Sequence, residues 1–122
     1  MKTKLLTFIA TLLLSATSIA ADLPPIVSEG VINATPKEVW RAWTTADGLK
    51  SWLAPLAEID LRVDGLMRTN YNAKGQLGDA GTIENRVLAF DPERMLAIKV
   101  VKAPKTFPFP NAVQSMWTII YL

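Results

Sequence analysis

The reactions open to this chain depend on the ionisable side chains that it contains. Its 122 residues include 11 acidic and 13 basic side chains but no His and no Cys. Zinc sites built on Cys or His are therefore excluded, as are nucleophiles of the Ser-His-Asp or Cys-His type. A metal site made only of carboxylates is compatible with the composition, although the pattern predicts none. Any acid–base chemistry would use Asp, Glu, Lys, Tyr or a bound water.

Glu84 and Arg86 form the candidate polar pair of this sequence. They lie two residues apart, so they share one face of a strand predicted over residues 82–90. On an inner face they would be a buried ionisable pair and a plausible site. The outer, solvated face is the favoured interpretation, because charged side chains are seldom buried.

Other side chains are candidates for lining an apolar ligand cavity. They are aromatic or carry a thioether: Trp43, Trp52, Met67, Tyr71 and Tyr121. The alternative is ordinary packing in the core or on the sheet, with the indole and phenol groups bonded locally. Residues 104–110 are predicted to form a rigid loop, and its run Phe107-Pro108-Phe109-Pro110 is a candidate portal or partner surface.

Two short helices are expected to position the tryptophans. Thr35 can cap the first helix, Pro36 suits its first position, and Glu38 completes a capping box. This helix is predicted to continue through Thr44. After Asp47-Gly48 restarts the chain, a second short helix is predicted over residues 49–53.

The remainder of the pattern predicts an antiparallel sheet. A loosely alternating segment at 26–34 predicts a first strand, and Asp64-Gly65 predicts a tight hairpin. Period-two alternation and strand-forming composition predict five further strands, over residues 58–63, 66–71, 82–90, 95–101 and 115–122. The fold class is therefore α+β, with an antiparallel meander after the two helices.

Residues 1–21 have the order of an export signal. Lys2 and Lys4 precede the apolar run Leu5–Leu14, and small residues follow it. Cleavage is expected after Ala20 or Ala21. The run is shorter than the roughly 20 residues that span a bilayer, so no stable membrane anchor is expected after cleavage. The sequence predicts a periplasmic or secreted protein.

The mature chain, residues 22–122, is predicted to be one domain. Loss of two lysines reduces the 13 basic residues to 11, equal to the 11 acidic ones. A formally neutral chain without a basic block gives no electrostatic basis for a nucleic-acid partner. No cofactor is predicted.

Several segments together resemble a known family. They are Thr35–Thr44, Leu49–Pro55, Asp64–Arg68, Gly81–Glu84 and Phe90–Leu96. They are similar to the START-like (SRPBCC) superfamily, in the branch similar to the activator of Hsp90 ATPase homologue 1 and to polyketide cyclase-like proteins. The resemblance implies a helix-grip fold, in which a curved antiparallel sheet surrounds a long C-terminal helix. In many members an apolar cavity between them holds a lipid, hormone or polyketide.

Relative to that fold, the sequence lacks a C-terminal strand and the long helix. Its last predicted strand ends in Trp117-Thr118-Ile119-Ile120-Tyr121-Leu122, an apolar edge that favours pairing with another chain. The expectation is a domain truncated at its C-terminus, with a dimer as the competing way to cover the sheet.

The resemblance leaves three function classes open. The first is a noncatalytic carrier or sensor of a small apolar molecule, either a lipid or a polyketide-like compound. The second is an enzyme of the cyclase or hydratase type that uses the same cavity. The third is a protein-interaction module of the Hsp90-activator type. An ionisable side chain inside an apolar cavity would favour the enzyme, and a lining of apolar groups would favour the carrier.

Overall fold

The computed structural model describes residues 24–122. The predicted signal peptide and both of its cleavage sites lie outside this range. The chain divides into a unit up to Val31 and a unit from Ile32 to Leu122. Residues 24–34 form neither helix nor strand, so the predicted strand at 26–34 is wrong. Alternation produces a strand only where a neighbouring strand pairs with it, and within the described range these residues pair with none.

The first helix, α1, spans Pro36–Thr44 and begins as the sequence predicts. The Thr35 hydroxyl accepts a hydrogen bond from the Glu38 backbone N–H at 3.3 Å. In return the Glu38 carboxylate accepts from the Thr35 N–H at 2.8 Å. These bonds satisfy two donors that a helix start leaves free. The backbone bond from Thr35 is the main cause that lowers the pKa of the Glu38 carboxyl.

The second helix, α2, spans Ala46–Trp52 and starts earlier than predicted. Thr45 caps it, because its hydroxyl accepts from the Gly48 N–H at 3.0 Å. Asp47-Gly48 therefore belongs to the first turn of α2 rather than to a break before it. Gly48 is required there, because a side chain would overlap the backbone carbonyl oxygen of Arg41.

One antiparallel sheet of five strands follows the two helices, and neighbours in sequence are neighbours in space. The register of β3 against β4 shifts at two places, as happens where strands bend. The strand bounds are β1 Leu56–Ile59, β2 Leu66–Asn70, β3 Ile83–Asp91, β4 Met95–Lys102 and β5 Trp117–Tyr121.

The connection between β1 and β2 is longer than the predicted two-residue turn. β1 ends at Ile59, and residues 60–65 form the turn. The N–H of Arg62 donates to the Asp60 carbonyl, and that of Gly65 donates to the Arg62 carbonyl. Asp64 has a φ of 65°, a left-handed conformation that Asp tolerates better than most residues. The alternation beyond Ile59 therefore lies in a turn and not in a strand.

A third helix, α3, spans Pro110–Ser115 and was not predicted. It has six residues, too few to show a helical period in the sequence. Residues 103–109 form neither helix nor strand, as expected for a loop, and Phe109, whose φ of 56° is left-handed, directly precedes α3.

The core lies between the sheet and the first two helices. Its buried residues come from α2 and from β1 to β4: Leu49, Ala57, Met67, Val87, Leu96 and Ile98. Partly buried side chains of α1 and of the other elements pack around them, including Trp40, Trp43 and Ile120. Between residues 24 and 122, no helix is long and apolar enough to cross a bilayer.

Candidate functional site

Two clefts are candidates for a binding site, and they differ in chemistry. The larger, of about 440 Å³, lies on the β1–β2 hairpin. We call it the hairpin cleft; its lining residues are Glu58, Ile59, Asp60, Arg62, Asp64, Gly65, Leu66 and Arg68.

The charges of the hairpin cleft are already paired, most of them with each other and Asp64 with Arg86 outside the lining. Arg62 Nε lies 2.6 Å from an Asp60 oxygen, and Arg68 Nη1 lies 2.9 Å from a Glu58 oxygen. An apolar ligand would remove water from these charged groups without replacing its hydrogen bonds, which is unfavourable. The larger volume therefore does not make this cleft the better candidate for an apolar molecule.

The second cleft, of about 270 Å³, lies at one end of the sheet. There β2 continues into the loop 71–82, and β4 continues into the segment 103–109. We call it the Tyr71 cleft; its lining residues are Asn70, Tyr71, Asn72, Gly81, Ile83, Pro104, Thr106, Phe107 and Pro108.

One wall of the Tyr71 cleft is apolar. Ile83, the first residue of β3, is buried, and Phe107 is half-buried. Pro104 and Pro108 stand on either side of Phe107 in the segment after β4 and stiffen it, because proline fixes its own φ. Tyr71 faces solvent with 58% of its surface, so its ring is available to a ligand.

The loop 71–82, which contributes Tyr71, Asn72 and Gly81 to the lining, is organised by buried polar side chains. Asn70 is 1% exposed, and its amide nitrogen donates to the Gln76 carbonyl at 3.1 Å and to Asp79 Oδ1 at 2.8 Å. Thr82, which is fully buried, accepts from the Gly78 N–H at 2.8 Å. These bonds give an irregular loop a defined shape.

Asp79 is the charged centre of this loop. Its carboxylate accepts from the backbone N–H of Gln76 at 2.9 Å and from that of Gly81 at 2.8 Å. The bond from Gln76, followed by that from Gly81, holds the pKa of the Asp79 carboxyl below its ordinary value. The carboxylate is directed into the loop and is not part of the cleft lining.

Of the predicted cavity residues, Tyr71 lines this cleft. Trp43 and Trp52 instead pair with each other where α1 meets α2, with ring centroids 4.6 Å apart in an edge-on arrangement. The Trp52 indole N–H donates to the Ala42 carbonyl at 3.1 Å, and the ring is 49% exposed. These two tryptophans line neither cleft.

The other two predicted cavity residues lie apart from Tyr71. Met67 is 2% exposed and belongs to the core between β2 and the helices. Tyr121, on β5, lies opposite Met95 of β4 and is 76% exposed. Neither side chain is among those that line the two clefts.

Glu84 and Arg86 lie on the sheet face opposite the core and bond to different partners. Glu84 Oε1 is 3.4 Å from Arg68 Nε and 3.9 Å from Lys102 Nζ. Arg86 Nη1 is 3.6 Å from an Asp64 oxygen. The two residues thus take part in cross-strand charge pairing on an open face.

The sequence reasoning missed the remaining residues of the Tyr71 cleft. Phe107 and Pro108 were noted as a candidate portal loop, but nothing in the sequence connects them with Tyr71 or Ile83. The sequence signal for the loop 71–82 is the Asn- and Gly-rich composition of residues 70–81, which predicts turns without giving their positions.

No group of three or more His, Cys, Asp or Glu side chains between residues 24 and 122 is arranged to hold a metal ion. No curated protein and no solved structure matches the chain. A family model, that of the Activator of Hsp90 ATPase homolog 1-like proteins, matches residues 33–120. This match confirms the resemblance and, with the observed order of helices and strands, the α+β helix-grip class. The chain belongs to the Activator of Hsp90 ATPase homolog 1-like family of the START-like superfamily.

Proposed function

We propose that this protein is an exported START-like domain that binds a small, uncharged apolar molecule in the Tyr71 cleft. The observation that carries the proposal is the lining of that cleft. An aromatic ring, a buried aliphatic side chain and a proline-stiffened segment with a second ring surround one concave space. Binding sites for small molecules commonly combine such walls with a few polar groups.

The volume and the charge of the cleft limit the ligand. About 270 Å³ lies just below the roughly 300 Å³ at which ligand pockets usually begin. Among the described residues that line it, Tyr71 is the single ionisable side chain, and no carboxylate or ammonium group is present to pair with an ion. A compact neutral aromatic molecule fits these conditions better than a charged one.

The same lining supports a carrier or sensor more than an enzyme. A cyclase or hydratase would need a proton donor and acceptor at the bound molecule. The Tyr71 hydroxyl could serve as one such group, whereas Asp79 is directed into the loop. The proposal of export rests on residues 1–21, in which basic, apolar and small residues follow one another as in a cleaved signal.

The binding site can be tested by titration of the mature chain with N-phenyl-1-naphthylamine. This neutral dye, a naphthalene and a phenyl group joined by an amine nitrogen, fluoresces in apolar surroundings. We expect saturable fluorescence for the wild type. Tyr71→Ala and Phe107→Ala should each weaken binding about tenfold, equivalent to about 1.4 kcal/mol of lost contact.

Tyr121→Ala is the matched control, because it removes an exposed aromatic ring that lies opposite Met95, at the end of β4 away from the cleft. It should leave the dissociation constant unchanged. Equal weakening by all three substitutions, or no saturable binding by the wild type, would contradict the proposal.

A protein-binding role is the second candidate, because the matching family model is named after an activator of the Hsp90 ATPase. Export argues against Hsp90 as the partner, because Hsp90 is not expected outside the cytoplasm. Recovery of the protein from the cytoplasm with residues 1–21 intact would favour the second candidate over the first.

A further inference from the structure

The loop 71–82 contains no helix or strand, yet side chains fix its course at both ends and in the middle. At its start, the Asn70 side-chain oxygen accepts from the Asn72 N–H at 2.9 Å. This bond closes a turn around Tyr71, the residue between them. The position of the Tyr71 backbone at the cleft therefore depends on where the Asn70 amide is held.

Asp79 holds that amide. Its Oδ1 accepts from Asn70 Nδ2 at 2.8 Å, while the same carboxylate binds the Gln76 and Gly81 N–H groups. Gly81 itself lines the cleft. One carboxylate thus connects Asn70 and Gly81, which lie at the two ends of the loop and both line the cleft.

The surroundings leave little room for another arrangement. A methyl group at Gly75 would lie 2.8 Å from Asp79 Oδ2 and 2.9 Å from Asn70 Nδ2. Both distances are shorter than van der Waals contact, so even an alanine would displace the paired side chains. The absence of a side chain at Gly75 allows the Asn70–Asp79 pair to form.

We propose that Asp79 is a positioning residue for the Tyr71 cleft, which acts through the Asn70 side chain to fix Tyr71 beside the ligand. The effect on ligand affinity rests on the proposed function. The effect on the Tyr71 ring does not, so the two are measured separately.

Asp79→Asn tests this inference. The side-chain amide of this variant can still accept hydrogen bonds at its oxygen. In either orientation, however, its NH₂ group would face a backbone N–H that needs an acceptor. Glu38→Gln is the matched control, because Glu38 is also a carboxylate with a lowered pKa that accepts from a backbone N–H, that of Thr35, but at the start of α1. Both substitutions can lower stability, and only the first should alter the cleft.

The first readout is the ¹⁹F spectrum of protein labelled with 3-fluorotyrosine, recorded well below the melting temperature of each variant. The chain has two tyrosines, Tyr71 and Tyr121, so the second is an internal reference. We expect Asp79→Asn to shift or broaden the Tyr71 signal alone. Glu38→Gln should change neither signal.

The second readout is the affinity for N-phenyl-1-naphthylamine. Asp79→Asn should weaken binding about tenfold, and Glu38→Gln should not. Should Asp79→Asn fail to fold, Gly75→Ala displaces the same pair without removing a charge, and it should produce a smaller change of the same kind.

An unchanged Tyr71 signal in both loop variants would overturn the inference, whatever their stability. A shifted signal with unchanged dye affinity would also overturn it, because the loop would then have no influence on the site. Absence of dye binding by the wild type would contradict the proposed function, and the ¹⁹F signal alone would then decide whether Asp79 positions Tyr71.

Discussion

At the scale of single residues, the cleft depends on polar side chains that are buried and fully bonded. Asn70 is 1% exposed, and both its amide nitrogen and its oxygen have partners. Such a group stabilises a structure mainly because its partners would otherwise be buried without hydrogen bonds. A polar residue at the end of a strand can therefore contribute to the shape of a site without contacting the ligand.

Asn70→Leu should consequently destabilise the protein by about 1–3 kcal/mol, because the Gln76 carbonyl and the Asn72 N–H lose a buried partner. Urea denaturation measures the change in the free energy of unfolding. Asn72→Ala, at an exposed position of the same loop, should cost much less. Equal losses for the two substitutions would mean that the Asn70 network contributes little to stability.

The types of individual residues also limited how much of the site could be predicted from the sequence. Tyr71 was identified because tyrosine is a usual cavity residue, but the same reasoning selected Tyr121 and Met67, which lie elsewhere. Residue type alone does not distinguish an inner position from an exposed or core one. Phe107 and Tyr71 line one cleft only because β2, β3 and β4 pair, and this proximity of distant segments leaves no local signal.

At the scale of elements, the sequence predicted helix and strand bounds correctly where the hydrogen bonds that define them join residues close in sequence. The α1 start was predicted because the capping box joins residues three apart, and the β3 and β4 bounds were predicted to within two residues. β1 was placed too late because alternation continues into the turn after Ile59. The six-residue α3 was missed because so short a helix shows no helical period in the sequence. The segment at 26–34 alternates without forming a strand.

α2 should be attached to the sheet chiefly by Leu49, which is fully buried in the core cluster. Leu49→Ala should therefore cost about 2–5 kcal/mol, the usual range for a buried leucine. The same change at exposed Leu122 should cost less than about 0.5 kcal/mol. Thermal and urea unfolding measure both, and a small loss at Leu49 would show that α2 is held by other contacts.

At the scale of the whole molecule, two carboxylates with lowered pKa values couple stability to pH. Backbone N–H groups donate to Glu38 from Thr35 and to Asp79 from Gln76 and Gly81, and so favour the ionised forms. The folded protein therefore binds these protons less readily than the unfolded chain. Their stabilisation is complete above the ordinary carboxyl pKa of about 4 and is lost as the pH falls through the lower folded values.

We expect the free energy of unfolding to decrease as the pH falls below about 5, and the doubly substituted Glu38→Gln/Asp79→Asn protein to show a smaller decrease. Urea denaturation at a series of pH values provides the measurement. An identical slope in the wild type and the double variant would show that other groups account for acid sensitivity.

The most direct test of the central claim is to map the bound probe by two-dimensional ¹H–¹⁵N NMR on a chain of residues 22–122. The account predicts that N-phenyl-1-naphthylamine shifts the backbone signals of Gly81, Ile83 and Phe107, which line the Tyr71 cleft. Signals of Trp43 and Trp52, at the junction of α1 and α2, should remain in place. Shifts confined to the two tryptophans, with none at the cleft, would contradict the account and place the ligand at the helix junction.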